Sequence, residues 1–134
     1  KFNAAFIRIG LSACDIGTSW LLPRLIGAAR AQELMLTGRI FKAQEAADLR
    51  LVSKVVSVDA LASEALQMAQ AIAKNSEYGV WMTKKTLRSN LDASSLRQAL
   101  EIENRTQVLG TFTGAMEAAR DAFAKGEAPQ WKLL

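Results

Sequence analysis

Only two stretches of this chain read as β-strand: Phe6-Ile7-Arg8-Ile9 near the start and Leu51-Val52-Ser53-Lys54-Val55-Val56 further on. The first is apolar and β-branched and is stopped by Gly10. The second alternates apolar and polar residues for part of its length. Two strands alone make a marginal sheet. Further strands are therefore expected upstream of Lys1, with this chain as the later part of a longer protein. An opening residue that is not Met fits the same expectation.

The rest reads as loop and helix. Leu11 to Gly17 is a loop with Cys14-Asp15 at its tip, and Gly17-Thr18-Ser19 opens a short helix through Arg24, capped by Thr18 or Ser19. Pro23 is tolerated only near that helix's boundary. Good helix formers run from Ala28 to Leu36 and stop at Thr37-Gly38; a second short helix covers Ala43 to Leu49. Asp59 caps a helix whose Leu61, Ala65, Met68 and Ile72 follow the helical period. Three more helices follow, Glu77 to Asn90, Ser94 to Leu109 and Thr113 to Lys125, before Pro129 ends regular structure ahead of Trp131. No internal repeat or linker is visible.

Chemistry is constrained by what is scarce. The chain has no His and one Cys, so common zinc sites, a Ser-His-Asp triad and a Cys-His pair cannot be built within it. Carboxylates, hydroxyls, backbone amides and a bound cofactor remain. Half of the 134 residues are apolar and 22% are charged, which rules out disorder. No apolar run approaches the roughly 20 residues of a membrane span. No leader pattern opens the chain, and a single Cys suits a reducing compartment, so a cytoplasmic location is expected. The net charge of +4 is scattered, with Lys84-Lys85 as the one basic doublet. Nucleic acid is therefore not an expected partner.

Two blocks of residues carry a resemblance. Gly10-Leu11 followed by Gly17-Thr18-Ser19-Trp20-Leu21-Leu22-Pro23-Arg24-Leu25-Ile26-Gly27 resembles the G-x-x-x-L-P-R-L-I-G segment of the crotonase family, the enoyl-CoA hydratase/isomerase superfamily of acyl-CoA enzymes. Ala31-Gln32-Glu33-Leu34-Met35-Leu36-Thr37-Gly38-Arg39-Ile40-Phe41-Lys42-Ala43-Gln44-Glu45-Ala46 is similar to its A-x-E-L-x-L-T-G-R-x-x-x-A-x-E-A signature, and Leu51-Val52 with Val55-Val56 matches the L-V-x-x-V that follows. The resemblance covers essentially the whole chain, as the C-terminal half of such a protein.

It implies an α/β fold: the late part of a crotonase-type ββα spiral at residues 1–57, followed by a helical trimerisation region at 58–134. It implies an acyl-CoA substrate with no metal and no cofactor beyond that coenzyme A thioester, an enolate-like intermediate in fatty-acid or related metabolism, and a homotrimer or dimer of trimers completed by the N-terminal half. That half would supply the two backbone amides that hold the thioester oxygen.

The family's hydratases use two glutamates. One follows a Phe matching Phe2, within F-x-x-P-E-x-x-x-G ending at Gly10, and this chain has Phe6 in its place. Phenylalanine cannot transfer a proton. Counted back from Gly17-Thr18, Asp15 stands where certain enoyl-CoA and dienoyl-CoA isomerases of the family carry a catalytic carboxylate. Facing an apolar pocket formed by Phe6, Ile16, Trp20 and Leu21, it could shuttle a proton near neutral pH. The plainer alternative is a turn residue ahead of Gly17. Cys14 is expected to line the pocket, and Lys125 is a candidate cation for the CoA phosphates. Glu33 and Glu45 are expected to pair with Arg30 or Arg39, and Trp81 and Trp131 to pack or form interfaces. Arg50 replaces the glycine usual before Leu-Val, which should perturb a turn and leave the chemistry alone. Three activities stay open: hydratase, isomerase through Asp15, and a non-catalytic acyl-CoA-binding member.

Overall fold

A computed structural model of the chain describes residues 1–131. The chain divides into two compact units, Lys1–Leu61 and Ala62–Leu134.

The first unit holds α1 (Thr18–Ile26), α2 (Ala28–Thr37) and α3 (Ala43–Asp48). α1 packs on α2, and together they bury Ile26, Ala31 and Leu34 against Phe41 and Ala46. Leu22, Leu49, Leu51 and Val52 close over this core. α2 ends where the sequence turns left-handed at Gly38, whose φ is 57°. A Cβ there would lie 2.6 Å from Ile7 Cγ2 and 2.8 Å from Arg8 Cγ. Only glycine fits both the backbone angle and the space.

Neither expected strand forms. Ala5–Ile9 is a 3-10 turn packed on α2, and Leu11 N–H returns to Phe6 O at 3.0 Å. Leu51 to Ser57 is bent and irregular, with the N–H groups of Leu51 and Val52 both directed at Ala46 O. The physical reason is shared: β-branched sequence favours a strand only when a partner strand offers its backbone. Among the described residues, strand-like pairing is limited to an isolated antiparallel bridge between Phe2 and Phe41, whose rings stack 5.5 Å apart.

Two local expectations also change. Gly17, not Thr18 or Ser19, caps α1, in left-handed geometry and with no side-chain cap bond. Pro23 lies inside α1, where it removes one backbone donor, while Gly27 N–H bonds Pro23 O at 2.9 Å and secures the last turn.

The second unit comprises most of α4 (Leu61–Ala73), with α5 (Glu77–Asn90), α6 (Leu96–Thr111) and α7 (Ala115–Lys125). Serines start two of these helices. Ser76 Oγ accepts Gly79 N–H, and Ser95 Oγ accepts Gln98 N–H while Gln98 Oε1 accepts Ser94 N–H. α5 packs on α6, and α6 on α7. Tyr78 Oη donates to Thr106 O at 2.6 Å across the first contact. Trp131 Nε1 donates to Lys74 O at 2.7 Å, tying Trp131 back to the residue after α4. Apolar burial is thin here: α4, α5 and α6 hold no fully buried residue, and α7 buries Ala122.

Candidate functional site

The loop before α1 collects most of the residues singled out by sequence. Asp15 is held in an unusual backbone. Ile16 N–H donates to its Oδ1 at 2.7 Å, and Thr18 N–H donates to its main-chain oxygen at 2.8 Å. Ile16 adopts φ 46° and Gly17 φ 84°. A β-branched residue in left-handed geometry costs about 1–3 kcal/mol and persists only where its surroundings over-determine it. The two bonds on Asp15 supply part of that determination and fix the carboxylate at the loop tip.

The expected apolar enclosure is not completed within this unit. Asp15 is exposed, and Ile16 is 81% exposed. Trp20 and Leu21 are each about half exposed. Leu21 folds back over the cap, with its Cδ1 3.6 Å from where a Cβ on Gly17 would be. Phe6 is half-buried in the preceding turn, and Cys14 is exposed with its N–H on Ser12 Oγ at 3.0 Å. Cys14, Asp15 and Ile16 thus stand in sequence just ahead of the Gly17 cap over which Leu21 folds, while Phe6 lies in the preceding turn.

Sequence reading overlooked Arg24. Its guanidinium carbon lies 3.2 Å from the Trp20 ring centre, and its Nη1 donates to Trp20 O at 3.0 Å. One face of the indole is thereby occupied by a cation. The i, i+4 spacing of Trp20 and Arg24 was the available signal. Lys125 lies in the second unit, exposed in the last turn of α7 just before the left-handed cap Gly126.

Glu33 and Glu45 are engaged elsewhere. Arg39 donates to Glu33 through Nε at 2.6 Å and Nη2 at 3.0 Å. It donates to Glu45 through Nη1 at 3.1 Å and Nη2 at 2.5 Å. Arg39, and not Arg30, is therefore the shared partner. The hydrogen bonds from its guanidinium hold both carboxyls below the usual carboxylate range and push the guanidinium's own pKa further up. The fork staples the C-terminal half of α2 to α3. Thr37 tightens the same corner, its Oγ1 donating to Glu33 O and accepting from Arg39 N–H.

Among the described residues, no three His, Cys, Asp or Glu side chains group as a metal site would require. Among the same residues, no helix is long and apolar enough to cross a membrane.

Comparison with known proteins now decides the family. The family model described as enoyl-CoA hydratase/isomerase matches residues 1–133. The chain belongs to the enoyl-CoA hydratase/isomerase family. It is 42% identical over 96% of its length to a protein of Mycobacterium tuberculosis named a probable enoyl-CoA hydratase, covering 45% of that protein. It is 32% identical over 98% of its length to the 1,2-epoxyphenylacetyl-CoA isomerase of Escherichia coli, covering 49% of it. A crystal structure of a probable enoyl-CoA hydratase/isomerase from Mycobacterium abscessus superposes with a TM-score of 0.89 at 38% identity, covering 98% of this chain and 51% of that one.

The chain thus spans about half the length of the curated relatives it matches. Its fold is of the crotonase type shared by these enoyl-CoA hydratase/isomerase structures. In this family member the signature block does structural work: Leu34 and Ala46 fill the core, Gly38 turns the chain, and Arg39 clamps Glu33 and Glu45.

Proposed function

We propose that the protein carrying this chain acts on an acyl-CoA thioester through an enolate-like intermediate. Within that chemistry, isomerisation of the double bond by Asp15 fits better than two-glutamate hydration. The observation that carries this reading is the Asp15 carboxylate, presented at the loop tip by Ile16 N–H and a left-handed Ile16, in a chain with Phe6 where the hydratase glutamate would stand. The acyl-CoA substrate is supported by the relatives named probable enoyl-CoA hydratase and 1,2-epoxyphenylacetyl-CoA isomerase, each of which matches nearly the whole chain.

In this mechanism the Asp15 carboxylate takes the C2 proton of a 3-enoyl-CoA. The electron pair moves onto the thioester oxygen as the enolate forms. The same carboxyl then returns the proton to C4 as the double bond shifts to C2–C3 and the carbonyl re-forms. Phe6, Cys14, Ile16, Trp20 and Leu21 line the acyl side, and the N-terminal half provides the remaining wall and the oxyanion amides. Closing that wall over Asp15 shields the transferred proton from bulk water. Residues 1–57 belong to the late spiral and residues 58–134 to a trimerisation region. Lys125 meets CoA phosphates, and the assembled trimer or dimer of trimers acts in the cytoplasm. The isolated chain is inactive.

A second reading, a non-catalytic acyl-CoA-binding member, draws on Phe6 alone. The test compares 3-enoyl-CoA and 2-enoyl-CoA turnover by the full-length wild type and Asp15→Asn. Loss of isomerisation with little hydration in either protein supports the proposal. Hydration that ignores Asp15 overturns it, and binding without turnover of either ester establishes the non-catalytic reading.

A further inference from the structure

α5 turns one side to α6 and a very different side to solvent. Its hydrogen bonds to α6 come from Tyr78, Thr86 and Asn90. Tyr78 Oη donates to Thr106 O, the Thr86 and Thr106 hydroxyls lie 3.2 Å apart, and Asn90 Nδ2 donates to Glu103 Oε1 at 3.3 Å. Trp81, Lys84, Lys85 and Arg88 fall on the far side at i, i+3, i+4 and i+7, which is one helical face. All four are exposed, Trp81 by 52%.

After Glu77 in its first turn, α5 contains no acidic residue. Among the described residues, none of the three cations on this face is ion-paired. Arg88 has a local reason for its place, since the last turn of a helix favours a cation. Lys84 and Lys85 stand in mid-helix without that reason, and each repels Arg88 one turn on. On α6 the cations are answered in place, with Glu101 3.5 Å from Arg97 and 3.8 Å from Arg105. α5 instead surrounds an exposed indole with uncompensated positive charge. Trp and Arg are the side chains that most often anchor protein interfaces, and charge of one sign around them selects a partner of the other.

The spacing favours a helical partner. Lys84 and Arg88 are about 6 Å apart along the axis, and carboxylates at i and i+4 of an opposed helix repeat at the same interval. Nucleic-acid surfaces gather basic charge in a broader patch or stripe than these three residues provide. A membrane-surface helix keeps its cations opposite an apolar face, whereas here they share the face of Trp81.

We propose that the Trp81, Lys84, Lys85 and Arg88 face of α5 docks an acidic amphipathic helix of another protein. Asp or Glu side chains of that helix pair with the three cations, and one of its apolar side chains covers the indole. Docking here is independent of the acyl-CoA chemistry proposed above.

The test titrates the full-length protein into a fluorescent helical peptide on an Ala/Gln scaffold, with Glu at i, i+4 and i+7 around a Leu at i+3, and reads its anisotropy. Wild type is expected to bind this peptide, more weakly as salt is added. Lys84→Gln/Lys85→Gln/Arg88→Gln and Trp81→Ala are each expected to raise Kd by roughly tenfold or more. Lys84→Glu/Lys85→Glu/Arg88→Glu should lose the Glu peptide and gain binding of its Lys counterpart, which wild type does not bind. Misfolding cannot produce that gain. No binding of the Glu peptide by wild type overturns the proposal, as does an unchanged Kd in the triple glutamine variant or a missing gain in the charge-reversed one. Binding of a single-stranded oligonucleotide or of phosphatidylglycerol vesicles through these residues, without binding of the Glu peptide, also overturns it. So does a changed oligomeric state of the triple glutamine variant, which makes the face a contact between subunits.

Discussion

Arg39 grips Glu33 with two parallel hydrogen bonds, Nε to Oε1 at 2.6 Å and Nη2 to Oε2 at 3.0 Å, and so joins the end of α2 to the turn that leads into α3. Glu45 takes the other side of the same guanidinium. This bidentate arrangement makes Arg39 irreplaceable by lysine, which has no planar fork.

An acid-sensitivity prediction follows from the clamp. Hydrogen bonds from Arg39 depress both carboxyls below their ordinary value of 4.5 in the folded chain. A depressed folded pKa contributes stability that is present above the unfolded value and is lost as pH falls through the folded one. Urea midpoints of the full-length protein should therefore decline below about pH 4.5. In Arg39→Gln the decline should be shallower and the neutral-pH midpoint lower. An identical acid slope in the two proteins would contradict the clamp.

Gly38 and Gly114 make a matched pair of probes. Both have positive φ, but a Cβ on Gly38 meets Ile7 and Arg8, while one on Gly114 meets nothing within 4 Å. Gly114→Ala should cost about 1 kcal/mol from the backbone alone. Gly38→Ala should cost about 2 kcal/mol or more, because the Ala5–Ile9 turn must also move. Equal losses in thermal unfolding would mean that the turn yields freely.

Arg50 occupies a left-handed position, with φ 61°, directly after Leu49, the C-cap of α3. Its N–H bonds Ala47 O at 2.8 Å while Leu51 N–H bonds Ala46 O at 2.8 Å, a helix-ending pattern that favours glycine at its left-handed residue. Arg50→Gly is expected to stabilise the protein by about 0.5–1 kcal/mol, net of glycine's greater unfolded entropy. Destabilisation would show that the arginine makes a compensating contact in the full-length protein.

Leu34 is the large side chain most completely buried, at 1% exposure, whereas Leu36 two residues on is 72% exposed. Leu34→Ala should cost about 3 kcal/mol. Leu36→Ala should cost well under 1 kcal/mol unless the rest of the protein covers it. A large loss at Leu36 in the full-length protein therefore marks a buried contact with the other half or another subunit.

Asp15→Asn should leave stability nearly unchanged, because an amide oxygen can still accept Ile16 N–H at the place of Oδ1. Matching melting temperatures would assign any loss of turnover to the missing carboxylate. A drop of several degrees would attribute it to a collapsed loop.

The sequence by itself determined the helices and the family. The 3.6-residue spacing of apolar positions located α4 to α7 to within a few residues, and Thr37-Gly38 marked the end of α2, because such signals act within one or two turns of chain. The pairing of Glu33 and Glu45 with an arginine was equally legible, since the residues lie close along the chain. Tertiary structure decided what depends on distant partners. Phe6-Ile9 and Leu51-Val56 carry strand-forming residues but find no neighbouring strand, so one closes into a 3-10 turn and the other wraps the end of α3. The strained Ile16 beside Asp15, the Arg24 stack on Trp20 and the choice of Arg39 over Arg30 needed coordinates as well. A side chain's direction and exposure are set by what packs around it, and spacing along the chain carries no record of that.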